Sequence, residues 1–139
     1  MPPPTLYDDN GPADPQWASA SHDDRVAAVL SHHAALGGRH AAQSDPTLHA
    51  RLHVTIEDQL LAGAAGVAEF FERFGAAGVR RHEIVHAASA AFAEAMRAAA
   101  SSGQTDAGSI YAERLARLEP AEWIARAVRR RSRPDPGRD

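Results

Sequence analysis

The sequence lacks cysteine altogether, which excludes disulfides, thiolate metal sites and cysteine nucleophiles. Any transition-metal site must therefore use His, Asp and Glu. Lysine is also absent, and arginine supplies all 15 basic residues. The formal net charge of -3 argues against a nucleic-acid partner, because binding nucleic acid needs a clustered basic surface. No apolar run approaches the roughly 20 residues that span a bilayer, and no signal sequence is recognisable. We therefore expect a cytoplasmic protein that binds neither nucleic acid nor membrane.

Aromatic residues and strand signals are scarce as well. Aromatics make up only 6% of the chain, whereas the hydrophobic fraction of 44% contains much alanine, and thin side chains suit closely packed helices. No segment alternates apolar and polar residues with β-branched side chains, as a half-buried strand does. A chain of 139 residues suits one compact domain. The sequence therefore predicts an all-α fold, an up-and-down helical bundle of four to six helices with a His- and Glu-rich core.

Capping residues and glycines indicate where these helices lie. Residues 1–16 are rich in Pro and Asp, have no apolar period and are predicted to be an irregular N-terminal arm. A single helical metal-binding domain is predicted over residues 17–131, and a disordered tail over residues 132–139. The helices are predicted to begin near Ser21, Asp45, Val67, Arg80, Asp106 and Glu119. A Gly37-Gly38 pair is predicted to end the first of them.

Histidines on three predicted helices share the apolar faces. Residues four apart lie on nearly the same face of a helix, because each residue advances by about 100° around the axis. His49-x3-His53-x3-Glu57 forms one such row, His82 and His86 form another, and His33 adds a third helix. The remaining His22, His32 and His40 are predicted to lie at the surface or at helix ends.

A single histidine on an apolar face is usually a core residue that is hydrogen-bonded to a carbonyl. Five of them in one core need five partners, because each unpaired buried polar group costs about 1 to 3 kcal/mol. One metal ion can satisfy several imidazoles together. The predicted metal ligands are His33, His49, His53, Glu57, His82 and His86.

The segment from His82 to His86 also matches the HExxH pattern. In that pattern the two His bind zinc, and the Glu acts as general base on the metal-bound water. Glu83 is therefore the predicted catalytic residue, as a base or as a bridge between ions. A solvated helix residue near Arg80 is an equally consistent interpretation of Glu83.

Two histidine-rich segments carry a resemblance to a known family. Segment 49–59 reads HAxxHxxxExQ and segment 81–86 reads RHExxH. Together with Trp17, Asp24-Arg25, His33 and the Tyr- and Leu-containing segment 111–123, they resemble the bacterial domain-of-unknown-function family number 1841, over about residues 14–126. The chain departs from that family's pattern at Ala18, Ala20 and His32. The resemblance implies a shared metal-site frame and brings no established reaction with it.

Three functions are compatible with this ligand set. Two imidazoles and a carboxylate with open positions are typical of non-haem Fe(II) sites, so the first prediction is a small non-haem iron or di-iron oxidoreductase that acts on a small molecule. The predicted cofactor is one or two transition-metal ions, iron first, with zinc or manganese as alternatives. The other two functions are a zinc-dependent hydrolase that uses HExxH and a non-enzymatic metal storage or sensing module. A homodimer is compatible with the sequence.

Overall fold

A computed structural model describes residues 5–13, 15–36, 45–103 and 106–132 of the chain. These residues form seven helices and two strands of two residues each, so the predicted all-α fold is confirmed. The helices are α1 (Gln16–Ser19), α2 (His22–Leu36), α3 (Pro46–Leu61), α4 (Val67–Ala76), α5 (Arg81–Ser102), α6 (Ala107–Arg117) and α7 (Pro120–Ser132). The strands are β1 (Tyr7–Asp8) and β2 (Gly11–Pro12). No described helix combines the length and the apolar character that crossing a membrane requires.

Side-chain caps begin α3 and α6 where the sequence predicts them. Asp45 accepts a hydrogen bond from the backbone N–H of Leu48 at 3.0 Å, and Asp106 accepts one from Ser109 at 3.0 Å. Each cap satisfies a backbone donor that the first helical turn leaves unpaired, which stabilises a helix by about 0.5 to 2 kcal/mol. The predicted helix end at residues 37–38 lies outside the described residues. So does the predicted tail, except for Ser132, which is the last residue of α7 and not part of a tail.

Helix α3 separates two hydrophobic clusters. Ile56 belongs to a cluster formed with α4 to α7, whereas Ala50 and Val54 belong to one formed with α1, α2 and the N-terminal arm. Phe70 and Phe74 are buried in the first cluster. Because α3 packs on both sides, its histidines are held between the two clusters.

The N-terminal arm, predicted to be irregular, contains a small antiparallel hairpin between β1 and β2. Tyr7 of this hairpin is 2% exposed, and Trp17, which follows it, is fully buried. The hairpin backbone passes close to α5, because Gly11, at φ 99°, lies against the guanidinium of Arg81. Two-residue strands are too short to produce a visible alternation, so the sequence pattern gave no sign of them.

Replacing Gly11 with alanine is expected to destabilise the protein more than the same change at Gly78. Both glycines have positive φ (99° and 84°), which costs an alanine about 1 to 2 kcal/mol. A Cβ at position 11 would in addition lie 2.5 Å from Cζ of Arg81, whereas a Cβ at position 78 would meet nothing within 4 Å. Displacing the Arg81 side chain should add about 1 to 3 kcal/mol. Urea unfolding measures the free energy of unfolding of both variants. Equal losses of that free energy would contradict the close approach of Gly11 to Arg81.

Candidate metal centre

Four histidines from three helices converge at the centre of the fold. His33 comes from α2, His49 and His53 from α3, and His86 from α5. Their candidate ligand nitrogens all lie within 4.8 Å of one another. The Nε2 atoms of all four are buried. This four-histidine group joins four of the six predicted ligands.

The imidazole rings surround a common space. The ring centroids of His33 and His53 are 4.5 Å apart, those of His49 and His53 are 4.8 Å apart, and those of His49 and His86 are 5.0 Å apart. Zinc and similar ions bind imidazole nitrogen at about 2.0 to 2.1 Å, which places tetrahedral ligand nitrogens about 3.4 Å from one another. Small side-chain rotations would bring the four nitrogens to that spacing.

His53 is the most deeply enclosed member of this group. It is 1% exposed, and its Nε2 makes no hydrogen bond with any described residue. Burial, reinforced by the neighbouring imidazoles, lowers the pKa of His53 far below its ordinary value. The ring is therefore neutral, which is the form that binds metal. A metal ion would supply the partner that its buried nitrogen lacks.

A hydrogen bond with Tyr7 supports His53 at Nδ1, the other nitrogen of its ring. The Tyr7 hydroxyl lies 3.4 Å from Nδ1 of His53. Burial, together with the negative charge of Glu57, raises the pKa of Tyr7, so the hydroxyl stays protonated. For Nε2 to bind a metal ion, Nδ1–H must donate this hydrogen bond to the Tyr7 oxygen, and contacts of this kind fix the tautomer and the orientation of a ligating imidazole.

Glu57 lies outside the four-histidine group. Its carboxylate is fully buried and accepts two hydrogen bonds of 2.7 Å from the guanidinium of Arg81. This contact with Glu57 raises the pKa of Arg81 even though burial alone would lower it. Glu57 thus balances a partly buried cation. Its predicted role as a ligand or bridge stays a prediction, and it would require the carboxylate to leave Arg81.

His82 is close to the four-histidine group but belongs to a second one. Its ring centroid is 4.5 Å from that of His86, yet its ligand atom groups with those of Asp9 and His32. Glu83 lies in neither group: its side chain is 34% exposed, and its carboxylate is 3.9 Å from Nδ1 of His86. Its role as a base stays a prediction.

Sequence reasoning missed Asp9 and His32. His32 is predicted to lie at the surface or at a helix end, but its side chain is only 13% exposed and its Nε2 lies 3.0 Å from Asp9 Oδ1. Its position next to His33 was an available signal, since neighbouring helix residues differ by only about 100° in direction. Asp9 had no comparable signal, because only the hairpin brings it to the helices.

A cavity of about 450 Å³ opens beside this second group. Its walls include Asp9, Arg81, His82 and Glu83. A molecule of modest size could therefore reach the edge of the histidine cluster.

No family model matches the chain, and no curated protein or solved structure is significantly similar to it. The resemblance to the domain-of-unknown-function family stays a prediction. Support for a function comes from the geometry of the histidine cluster and its surroundings.

Metal ions should raise the melting temperature of the protein, because binding to the folded state adds its free energy to that of folding. At a free metal concentration of a thousand times Kd, the gain is about 4 kcal/mol. The His49→Ala variant should lose most of this response, and the His22→Ala variant, altered at an exposed histidine, should keep it. Scanning calorimetry with Zn²⁺ and with a chelator measures the effect. Equal melting temperatures with and without metal would contradict metal binding by the four-histidine group.

The metal-free protein should lose stability as the pH falls below about 6.5, the ordinary pKa of histidine. His53 stays neutral in the folded state because its pKa is lowered, whereas in the unfolded chain it binds a proton. The unfolded state then binds more protons, so His53 alone lowers the free energy of unfolding by about 1.4 kcal/mol per pH unit.

In the His53→Asn variant, the free energy of unfolding should fall less steeply with decreasing pH, by about 1.4 kcal/mol per pH unit. Denaturant unfolding between pH 7 and pH 5 compares the two proteins. Parallel curves would show that His53 is protonated in the folded protein as well.

Proposed function

We propose that this chain is a small metal-dependent oxidoreductase that holds iron through His33, His49, His53 and His86. The observation that supports the proposal is the convergence of four imidazoles with buried Nε2 atoms from three helices on one space. Its substrate would be a small molecule that enters the cavity of about 450 Å³ beside His82.

The donor set favours some metals over others. Imidazole suits iron, zinc, copper and nickel, whereas manganese prefers oxygen ligands. Four histidine ligands would complete a tetrahedral zinc site but leave open positions on an ion that takes five or six ligands. A bound iron ion with open positions would supply one-electron chemistry. Zinc is the alternative occupant, and manganese fits the four-histidine group least well.

The chain's own residues would orient the ligands and keep water away. Tyr7 fixes the ring of His53, and the buried Glu57–Arg81 pair holds the hairpin against α5. The hydrophobic cluster containing Val54 covers one side of α3. These contacts would preorganise the nitrogens, because outer hydrogen bonds and packing set the geometry of a metal site.

The zinc-hydrolase alternative finds less support. In an HExxH hydrolase both histidines bind the same ion, whereas here His86 belongs to the buried group and His82 to the outer one. The Glu83 carboxylate lies 3.9 Å from Nδ1 of His86 and belongs to neither group of candidate ligands. Hydrolytic activity that is lost in Glu83→Gln would nevertheless favour this alternative.

A metal storage or sensing module is the second candidate. The observation in its favour is the burial of the four converging Nε2 atoms, because closed ligand sets are typical of structural metal sites rather than catalytic ones. The adjacent cavity favours the oxidoreductase. Reversible binding without turnover would favour the module.

Anaerobic loading with Fe²⁺ tests the proposal. Untagged wild-type protein should retain iron after desalting, and His33→Ala and His49→Ala should retain little, whereas His22→Ala should behave like wild type. Oxidation should produce visible absorption in the iron-loaded protein and none in the zinc-loaded protein. The iron-loaded protein should consume dioxygen in the presence of a reductant. Retention of iron without oxygen consumption would leave only the storage module, and iron binding that His49→Ala does not reduce would overturn the proposed centre.

A further inference from the structure

Three side chains from separate parts of the chain meet at the edge of the histidine cluster. His32 comes from α2, His82 from α5, and Asp9 from the turn between β1 and β2. Their candidate ligand atoms all lie within 4.8 Å of one another. We name them the rim group, and none of the predicted functions uses Asp9 or His32.

We propose that the rim group is a second metal site, separate from the buried one. Two imidazoles and one carboxylate with open positions are a ligand set that binds divalent iron and related ions. The ligand atoms of Asp9 and His32 are already 3.0 Å apart. A single ion would need only three protein ligands here and could take its remaining ligands from solvent or substrate.

The surroundings of the rim group differ from those of the buried group. The side chain of Asp9 is 70% exposed and that of His32 is 13% exposed, whereas His33 and His53 are 4% and 1% exposed. Asp9 and His82 also line the cavity of about 450 Å³. An ion held here would face solvent and any molecule in that cavity.

The hairpin holds Asp9 in place by contacts on both sides of it. Tyr7, two residues before Asp9, is buried against the cluster and lies next to His53. Gly11, two residues after it, lies against the Arg81 guanidinium that Glu57 fixes. The position of Asp9 next to His32 therefore follows from the packing of the arm. An exposed His–Asp pair alone would contribute only about 0 to 1 kcal/mol to stability.

The two sites would be neighbours. The ring of His82 lies 5.1 Å from that of His53 and 5.2 Å from that of His33, measured between centroids. This inference rests on the proposed function, since it makes the rim ion the substrate-facing partner of the buried iron. The buried ion would then be the tightly held one, and the rim ion the exchangeable one.

Titration calorimetry with Zn²⁺ on the metal-free protein tests the second site, with metal analysis after desalting as an independent count. Wild type should bind two equivalents in two steps. His32→Ala should bind one, and Asp9→Asn should weaken the second step by more than about tenfold. Because Asp9 is largely exposed, Asp9→Asn should fold normally. The His22→Ala control should bind like wild type.

The buried-site variant separates this inference from the proposed function. His49→Ala should lose the tight Zn²⁺-binding step and keep the weaker one. His32→Ala should do the reverse, losing the weaker step and keeping the tight one. Cobalt substitution adds a spectroscopic measure, since four-coordinate Co²⁺ absorbs strongly in the visible and six-coordinate Co²⁺ weakly. His32→Ala should therefore keep most of the absorption.

If wild type binds one equivalent of Zn²⁺ and neither His32→Ala nor Asp9→Asn changes that binding, the rim site is overturned and the buried centre stands. If wild type binds two equivalents of Zn²⁺ and His49→Ala still binds both, the proposed function is overturned instead. No binding by wild type would overturn both.

Discussion

The structure depends on the cost of burying imidazoles. Four histidine nitrogens are enclosed where three helices meet, and water is largely excluded from them. A protonated cluster would place several positive charges together in a region of low dielectric, and a neutral cluster needs hydrogen-bond partners. Burial, together with the neighbouring imidazoles, lowers the pKa of His53 and so favours its neutral ring. A metal cation would favour the neutral imidazoles, because these are its ligands, and it would give the buried Nε2 of His53 a partner.

A second buried interaction connects this cluster to the N-terminal arm. Arg81 begins α5, binds Glu57 on α3 and contacts Gly11 in the hairpin. Breaking a buried ion pair by removing one partner is expensive, since the remaining charge is left without compensation. The pair therefore fixes the arm and two helices relative to one another. Tyr7 and Asp9 lie next to the histidines because the contact between Arg81 and Gly11 positions the hairpin against α5.

The helices and most of the cluster could be predicted from local patterns. Spacings of four residues placed His49 with His53 and His82 with His86, because helical geometry is a property of the sequence itself. The division of these residues between two groups could not be predicted in this way. It depends on how α2 and α5 rotate against α3, which apolar periodicity does not specify. Glu57 shows the same limit: its place in the row predicts a ligand, whereas its pairing with Arg81 depends on helix packing that the row does not specify.

Crystals of the protein reconstituted with iron, measured on both sides of the iron absorption edge, test the central claim most directly. The account predicts an anomalous difference peak surrounded by the imidazole nitrogens of His33, His49, His53 and His86, with Glu57 still paired to Arg81. A peak that lies away from these four nitrogens, or no peak at all in crystals that contain the metal in their buffer, would contradict it.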